Sequence, residues 1–83
     1  MPRYYFDTTE NQNESRDEEG IDLVDERAAR DEAIRALPGF ASEHLPDGPQ
    51  HSFWVRVRDQ RGSYIFEASL DLKTHWLAGG ELR

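Results

Sequence analysis

The sequence predicts a two-layer α+β domain: an antiparallel sheet of three to four strands with one kinked helix packed on one face, in the order β-β-α-β-β. Three observations predict it. Apolar residues alternate with period two near both ends of the chain, an apolar stripe with steps of three and four runs between them, and 83 residues leave room for only one core. The expectation is a single domain over residues 1–83, ordered to about residue 72 and ending in a tail over 73–83.

Residues 2–9 are aromatic and β-branched, with Tyr4 and Phe6 on one face and Arg3, Tyr5 and Asp7 on the other, which is a strand pattern. Residues 10–14 are polar and Asn-rich with nothing to bury, so a mobile hairpin loop is expected. A short second strand over Ser15 to Glu18, ended by Gly20, would follow, with Ile21 and Leu23 pinning the link to the core. Asp25 is placed to cap a helix by accepting from first-turn amides, and Glu26 adds a favourable charge against the helix dipole. Ala28, Ala29, Ala33, Ile34, Ala36, Leu37, Phe40, Ala41 and Leu45 then form the apolar stripe. Pro38 removes an amide and clashes one turn back, which predicts a kink or restart with residues 39–45 still helical. Pro46-Asp47-Gly48-Pro49 is expected to stop the helix in an exposed loop.

The last half reads as a hairpin. Phe53, Val55 and Val57 alternate with Trp54, Arg56 and Arg58, and Tyr64, Phe66, Ala68, Leu70 and Leu72 alternate with Ile65, Glu67, Ser69 and Asp71. Pairing Val57 with Phe66, Val55 with Ala68 and Phe53 with Leu70 makes one continuous apolar face and sets Arg56 opposite Glu67. That register asks for a two- or four-residue loop with Gly62 free to take positive φ. Trp76 and Leu77 would anchor the tail.

Composition narrows the function classes. The chain carries 17 acidic against 10 basic residues, a formal charge of −7, and no cysteine. The charge is uneven: 13 acidic and 5 basic residues in 1–50, 4 and 5 in 51–83. The acidic half would repel a phosphate backbone. No apolar run approaches the roughly 20 residues of a membrane span, so no membrane partner is expected. The opening residues show no apolar signal region, which sets the expected location as cytoplasmic. Without cysteine there is neither a disulfide framework nor a thiol nucleophile. His44, His51 and His75 have no metal-ligand spacing and are expected at the helix end and on strand or tail surface. No Ser-His arrangement shares a face and no glycine-rich phosphate loop is present, so no catalytic residue, metal, cofactor or small-molecule substrate is expected.

Met1-Pro2-Arg3-Tyr4-Tyr5-Phe6-Asp7, Asp17-Glu18-Glu19-Gly20-Ile21-Asp22-Leu23, Ala28-Ala29-Arg30-Asp31-Glu32-Ala33, and Val57-Arg58-Asp59 followed by Gly62 resemble a family of short bacterial proteins of unknown function. The resemblance runs to about Leu72 and implies a single domain in a bacterial cytoplasm, with no site carried over. By arrangement alone, a hairpin with an acidic-Gly turn feeding the helix is similar to the HicB-type antitoxin domain, which binds a toxin partner.

One sheet face is unusual. The register puts Arg3, Tyr5, Trp54, Arg56, Arg58 and Ile65 together on the side away from the helix, where small polar residues would normally stand. The plainest account is a tail folding back so that Trp76 and Leu77 cover Trp54 and Tyr5. Left open, the face has the aromatic and Arg content of a protein interface. The expected function is a non-enzymatic protein-interaction or self-associating module, a homodimer included, using that face or a strand edge. The alternative is a nucleic-acid-associated, antitoxin-like regulator using the same arginines and stacking on Tyr5 and Trp54.

Overall fold

The computed structural model describes residues 1–46, 48 and 50–80. β1 (Arg3–Glu10) is followed by β2 (Asn13–Ser15), β3 (Ile21–Asp22), α1 (Glu26–His44), β4 (Gln50–Arg58) and β5 (Tyr64–Lys73). All strand pairs are antiparallel, in the order β2-β1-β4-β5, with β3 also on the outer edge of β1. The architecture is an α+β fold with one helix on an open sheet. No described helix is long and apolar enough to cross a membrane.

The segment after β1 departs from expectation. The loop of residues 10–14 is instead a tight hairpin, in which Glu10 faces Asn13 and Asn11 adopts φ 54°. Asn11 is also clasped to β4: its amide donates to the Ser52 carbonyl (2.8 Å), and its side-chain oxygen accepts from the Ser52 amide (2.9 Å). The second strand comes two residues early and ends at Ser15, because pairing with Thr8 and Thr9 decides it and these polar residues have no periodicity of their own. After an excursion over residues 16–20, Ile21 and Asp22 rejoin the same edge opposite Tyr4 and Arg3.

Asp25 caps α1 as anticipated, its carboxylate accepting from the Ala28 amide at 2.9 Å. The helix runs through Pro38 as one element rather than restarting, with Pro38 on its exposed side. Its buried face is Ala29, Ala33, Leu37 and Ala41, one residue per turn. Three alanines in four positions let the backbone lie close to the sheet, so the core's bulk comes from Tyr4, Phe53, Val55 and Val57. The end of the expected loop at 46–49 includes residues 47 and 49, which lie outside the described residues, as do 81–83 of the tail.

The β4–β5 register is the expected one from Gln50 to Val57, with Arg56 bonded to Glu67 at 2.8 Å. Beyond Val57 it slips: Arg58 faces Tyr64, and Ile65 is the extra residue of a bulge. The connection is therefore five residues, 59–63, not two or four, with Gly62 at φ 90°. The bulge also moves Ile65, which packs against the core cluster instead of joining the outer face.

Candidate functional site

The face of the sheet away from α1 is where the sequence placed its candidate residues, and period two puts Arg3, Tyr5, Trp54, Arg56 and Arg58 there. They do not form one open surface. Asp7, on the same face of β1, lies diagonally across from Arg58 on β4 and grips it through both oxygens: Nε donates to Oδ2 at 2.9 Å and Nη2 to Oδ1 at 3.0 Å. Both residues are buried, 3% and 6% exposed. The Tyr64 hydroxyl donates to Asp7 Oδ2 at 2.7 Å, and Tyr5 lies under the guanidinium at 4.8 Å.

The cover over this pair is the excursion at 16–20. β2 takes the outer edge of β1 from Thr8 on and β3 takes Arg3 and Tyr4, leaving residues 5–7 without a strand on that edge. Asp17 fills that gap with its side chain, Oδ2 accepting from the Phe6 amide (3.0 Å) while Oδ1 accepts from the Glu19 and Gly20 amides (3.1 and 3.2 Å). The Asp17 amide donates to Asp7 Oδ1 at 2.9 Å, and its carbonyl accepts from Arg58 Nη2 at 2.6 Å. Arg3 secures the far end, donating to the Glu19 carbonyl (2.6 Å) and pairing with Asp22 at 2.9 Å.

The electrostatics follow from these bonds. Burial pushes the Asp7 carboxyl up, but hydrogen bonds from Arg58, the Asp17 amide and Tyr64, together with the Arg58 charge, outweigh it and hold the pKa at about 2. Asp17 is also lowered, its own burial being outweighed by the amides of Phe6, Gly20 and Glu19. The bond to Asp7 raises both Arg58 and Tyr64. A carboxylate this engaged is a poor base and a poor nucleophile; it is a clamp joining β1, β4, β5 and the 16–20 turn.

The remaining candidates divide. Arg56 is exposed and held by Glu67, Trp54 is partly buried between Thr9 and Ser69, and Ile65 has left the face. Trp76 and Leu77 are 71% and 81% exposed, so cover over Tyr5 comes from residues 16–20 rather than from the tail's aromatic anchor. Sequence reasoning missed Asp7 and Asp17, although Asp7 has the same parity as Tyr5 and opposes the arginine strand, and it set Tyr64 on the apolar face, from which the bulge at Ile65 turns it to the side of Arg58 and Asp7.

It also misplaced His51, which is buried at 2% exposure on the helix side. There Glu10 bridges two imidazoles, 3.1 Å from His44 Nδ1 and 2.9 Å from His51 Nε2, and His51 stacks on Phe53 at 4.6 Å. The signal was the parity of His51 with Phe53, Val55 and Val57. Among the described residues no group of three His, Asp or Glu is placed to hold a metal ion.

Gly20 gives a local test. It sits at φ 72°, and a Cβ there would stand 2.9 Å from the Tyr4 carbonyl oxygen, Arg3 Cγ and Tyr5 Cε2. Gly20→Ala is expected to lose about 2 kcal/mol of stability in urea unfolding, from left-handed strain plus a clash with fixed backbone. An unchanged midpoint would mean that the turn is not held against β1.

The clamp draws on three of the stretches that carried the family resemblance: Asp7 from the opening, Asp17 from the acidic turn, and Arg58. No match to the chain is found among curated proteins or among solved structures. A family model, DUF6894, described as a domain of unknown function, matches residues 3–71, from the first residue of β1 to Asp71 near the end of β5. The chain belongs to the DUF6894 family.

Proposed function

We propose that this domain is a non-enzymatic protein-interaction module that takes its partner by strand addition at β5, not through the aromatic face. The observation that carries the reading is the contrast between the sheet's two edges. The β1 edge is filled by β2, the Asp17 side chain and β3. The β5 edge runs ten residues with no described strand on its outer side, and exposed Trp76 and Leu77 follow it. Natural proteins usually blunt such an edge; one left long and half apolar is a template for a partner strand. The buried ionisable groups Asp7, Arg58 and His51 are tied to neighbours, which favours binding over chemistry. The nucleic-acid alternative is less favoured, since each of its arginines already faces a carboxylate: Arg3 pairs with Asp22, Arg56 with Glu67 and Arg58 with Asp7.

Proline tests the edge. Successive residues of an edge strand point their amides alternately inward and outward, so of Ala68→Pro and Ser69→Pro one breaks the ladder with β4 and the other removes an outward donor. The first is expected to unfold the hairpin. The second should stay folded by circular dichroism and lose binding to its partner, self included, by at least about tenfold in Kd, the equivalent of one lost strand bond. Partner binding that survives both variants but is lost in Trp54→Ala would return the role to the aromatic face.

A further inference from the structure

We propose that the strand added at β5 is β5 of a second copy of this chain, antiparallel about a two-fold axis through Leu70. This rests on the reading of β5 as the recognition edge and adds its occupant and its register. The starting observation is Leu70. It lies directly beside Phe53, which is 1% exposed, and on the same face, yet Leu70 itself is 42% exposed. The side facing β4 is covered; the side facing away is not. Phe66, Ala68 and Leu72 share that face, while Glu67, Ser69, Asp71 and Lys73 occupy the other.

Two-fold pairing of identical strands allows few registers, and the charges choose among them. For the apolar faces to share one layer, residues of equal parity must face one another, so the axis passes through a residue. An axis at Ser69 sets Glu67 against Asp71, and one at Asp71 sets that carboxylate against its own copy. Like charges directly opposite destabilise a sheet. An axis at Ala68 runs the ladder into the bulge at Ile65, where strand geometry already breaks. At Leu70 every pair agrees: Leu70 meets Leu70, Ala68 meets Leu72, Ser69 meets Asp71, and Glu67 meets Lys73 on both sides of the axis. Seven residues of each strand join, and the continuous sheet would carry one helix from each copy on the same face. The chain that continues past Lys73 then runs toward the second copy, carrying the exposed Trp76 and Leu77 to it. An isologous contact of this kind closes on itself and uses up both open edges, which a strand-edge filament would not.

The chain has no cysteine, so single cysteines report position without background. Leu70→Cys should cross-link to itself under mild oxidation or with a short thiol-specific linker. Ala68→Cys and Leu72→Cys should each fail alone and cross-link when mixed. Glu67→Lys or Lys73→Glu alone turns two attractions into two repulsions and should raise the dimer Kd about tenfold in sedimentation equilibrium, whereas the double reversal should restore it. Self-cross-linking of Ala68→Cys in preference to Leu70→Cys overturns the register. A wild-type chain that sediments as a monomer at millimolar concentration overturns the second copy as occupant; the edge reading then stands or falls separately, on whether the folded proline variant loses binding to another protein.

Discussion

Arg58→Ala is expected to lower the unfolding free energy by about 3–5 kcal/mol, enough to leave a domain of this size partly unfolded at room temperature. The reason is what remains behind. Asp7 is 3% exposed, and without the guanidinium its charge would be buried with only Tyr64 and the Asp17 amide as donors. The Asp17 carbonyl would lose its 2.6 Å donor as well, loosening the 16–20 turn. Arg58→Lys keeps the charge but cannot make the two-pronged bond to Asp7 and reach Asp17 together, so it should recover only part of the loss. Replacing both members, Asp7→Leu with Arg58→Met, should cost less than either alone, since no orphaned charge remains. Urea unfolding of these variants and of the two single replacements reads this directly. A loss under about 1 kcal/mol for Arg58→Ala would show the pair to be no more than a surface ion pair.

The same clamp sets the acid limit. The Asp7 pKa is about 2 in the folded chain against 3.8 when unperturbed, so its contribution, about 2 kcal/mol, is present above the unfolded value and is lost as the pH falls from about 4 toward 2. Asp17, also lowered, acts in the same direction. Stability should therefore fall on acidification below about pH 4, and the fall should be shallower in the Asp7→Leu/Arg58→Met pair. An identical acid profile in that variant would assign the fall to other carboxylates.

How much of this could be read from the residues depends on whether a feature carries a period. Alternation in β4 and β5 gave the register, the Arg56–Glu67 bond and the core side of the sheet, and the Asp25 cap needed only its place ahead of the apolar stripe. The slip at Ile65 was not readable, because residues 59–63 satisfy a turn at more than one length and only the packing of Ile65 against the core decides. The cover over Tyr5 and Arg58 was hidden for a related reason. Asp17 stands in for a strand by hydrogen bonds from one side chain, which leave no hydrophobic pattern. Glu10 and His51 meet across 41 residues, and a polar pair at that separation is invisible until the sheet brings β1 beside β4. The aromatic face was thus correctly located on the sheet, but the cover expected from Trp76 and Leu77 comes over Tyr5 from residues 16–20 instead.

Phe53→Ala is the second large effect, and it follows from the small residues on α1. With Ala29, Ala33 and Ala41 at three of the four buried positions of the helix, little side-chain bulk there can expand into a vacancy, and Phe53 is the largest fully buried apolar residue among those described. It also stacks on His51 at 4.6 Å and meets Phe40 edge to face at 5.2 Å, so its ring holds the end of the core where Glu10 bridges His44 and His51. Truncation is expected to cost about 3–5 kcal/mol and lower Tm by at least about 12 °C, whereas Phe53→Leu, which keeps much of the volume, should cost less than half as much. Because Leu70 is Phe53's direct neighbour on β5, the same truncation removes the wall against which Leu70 rests. In the milder Phe53→Leu variant, weakened self-association with the fold intact would therefore tie the dimer edge to this end of the core. A Phe53→Ala loss under about 1.5 kcal/mol would mean that Phe40 and Leu45, half-buried alongside, collapse into the space and that the core is less rigid than its packing indicates.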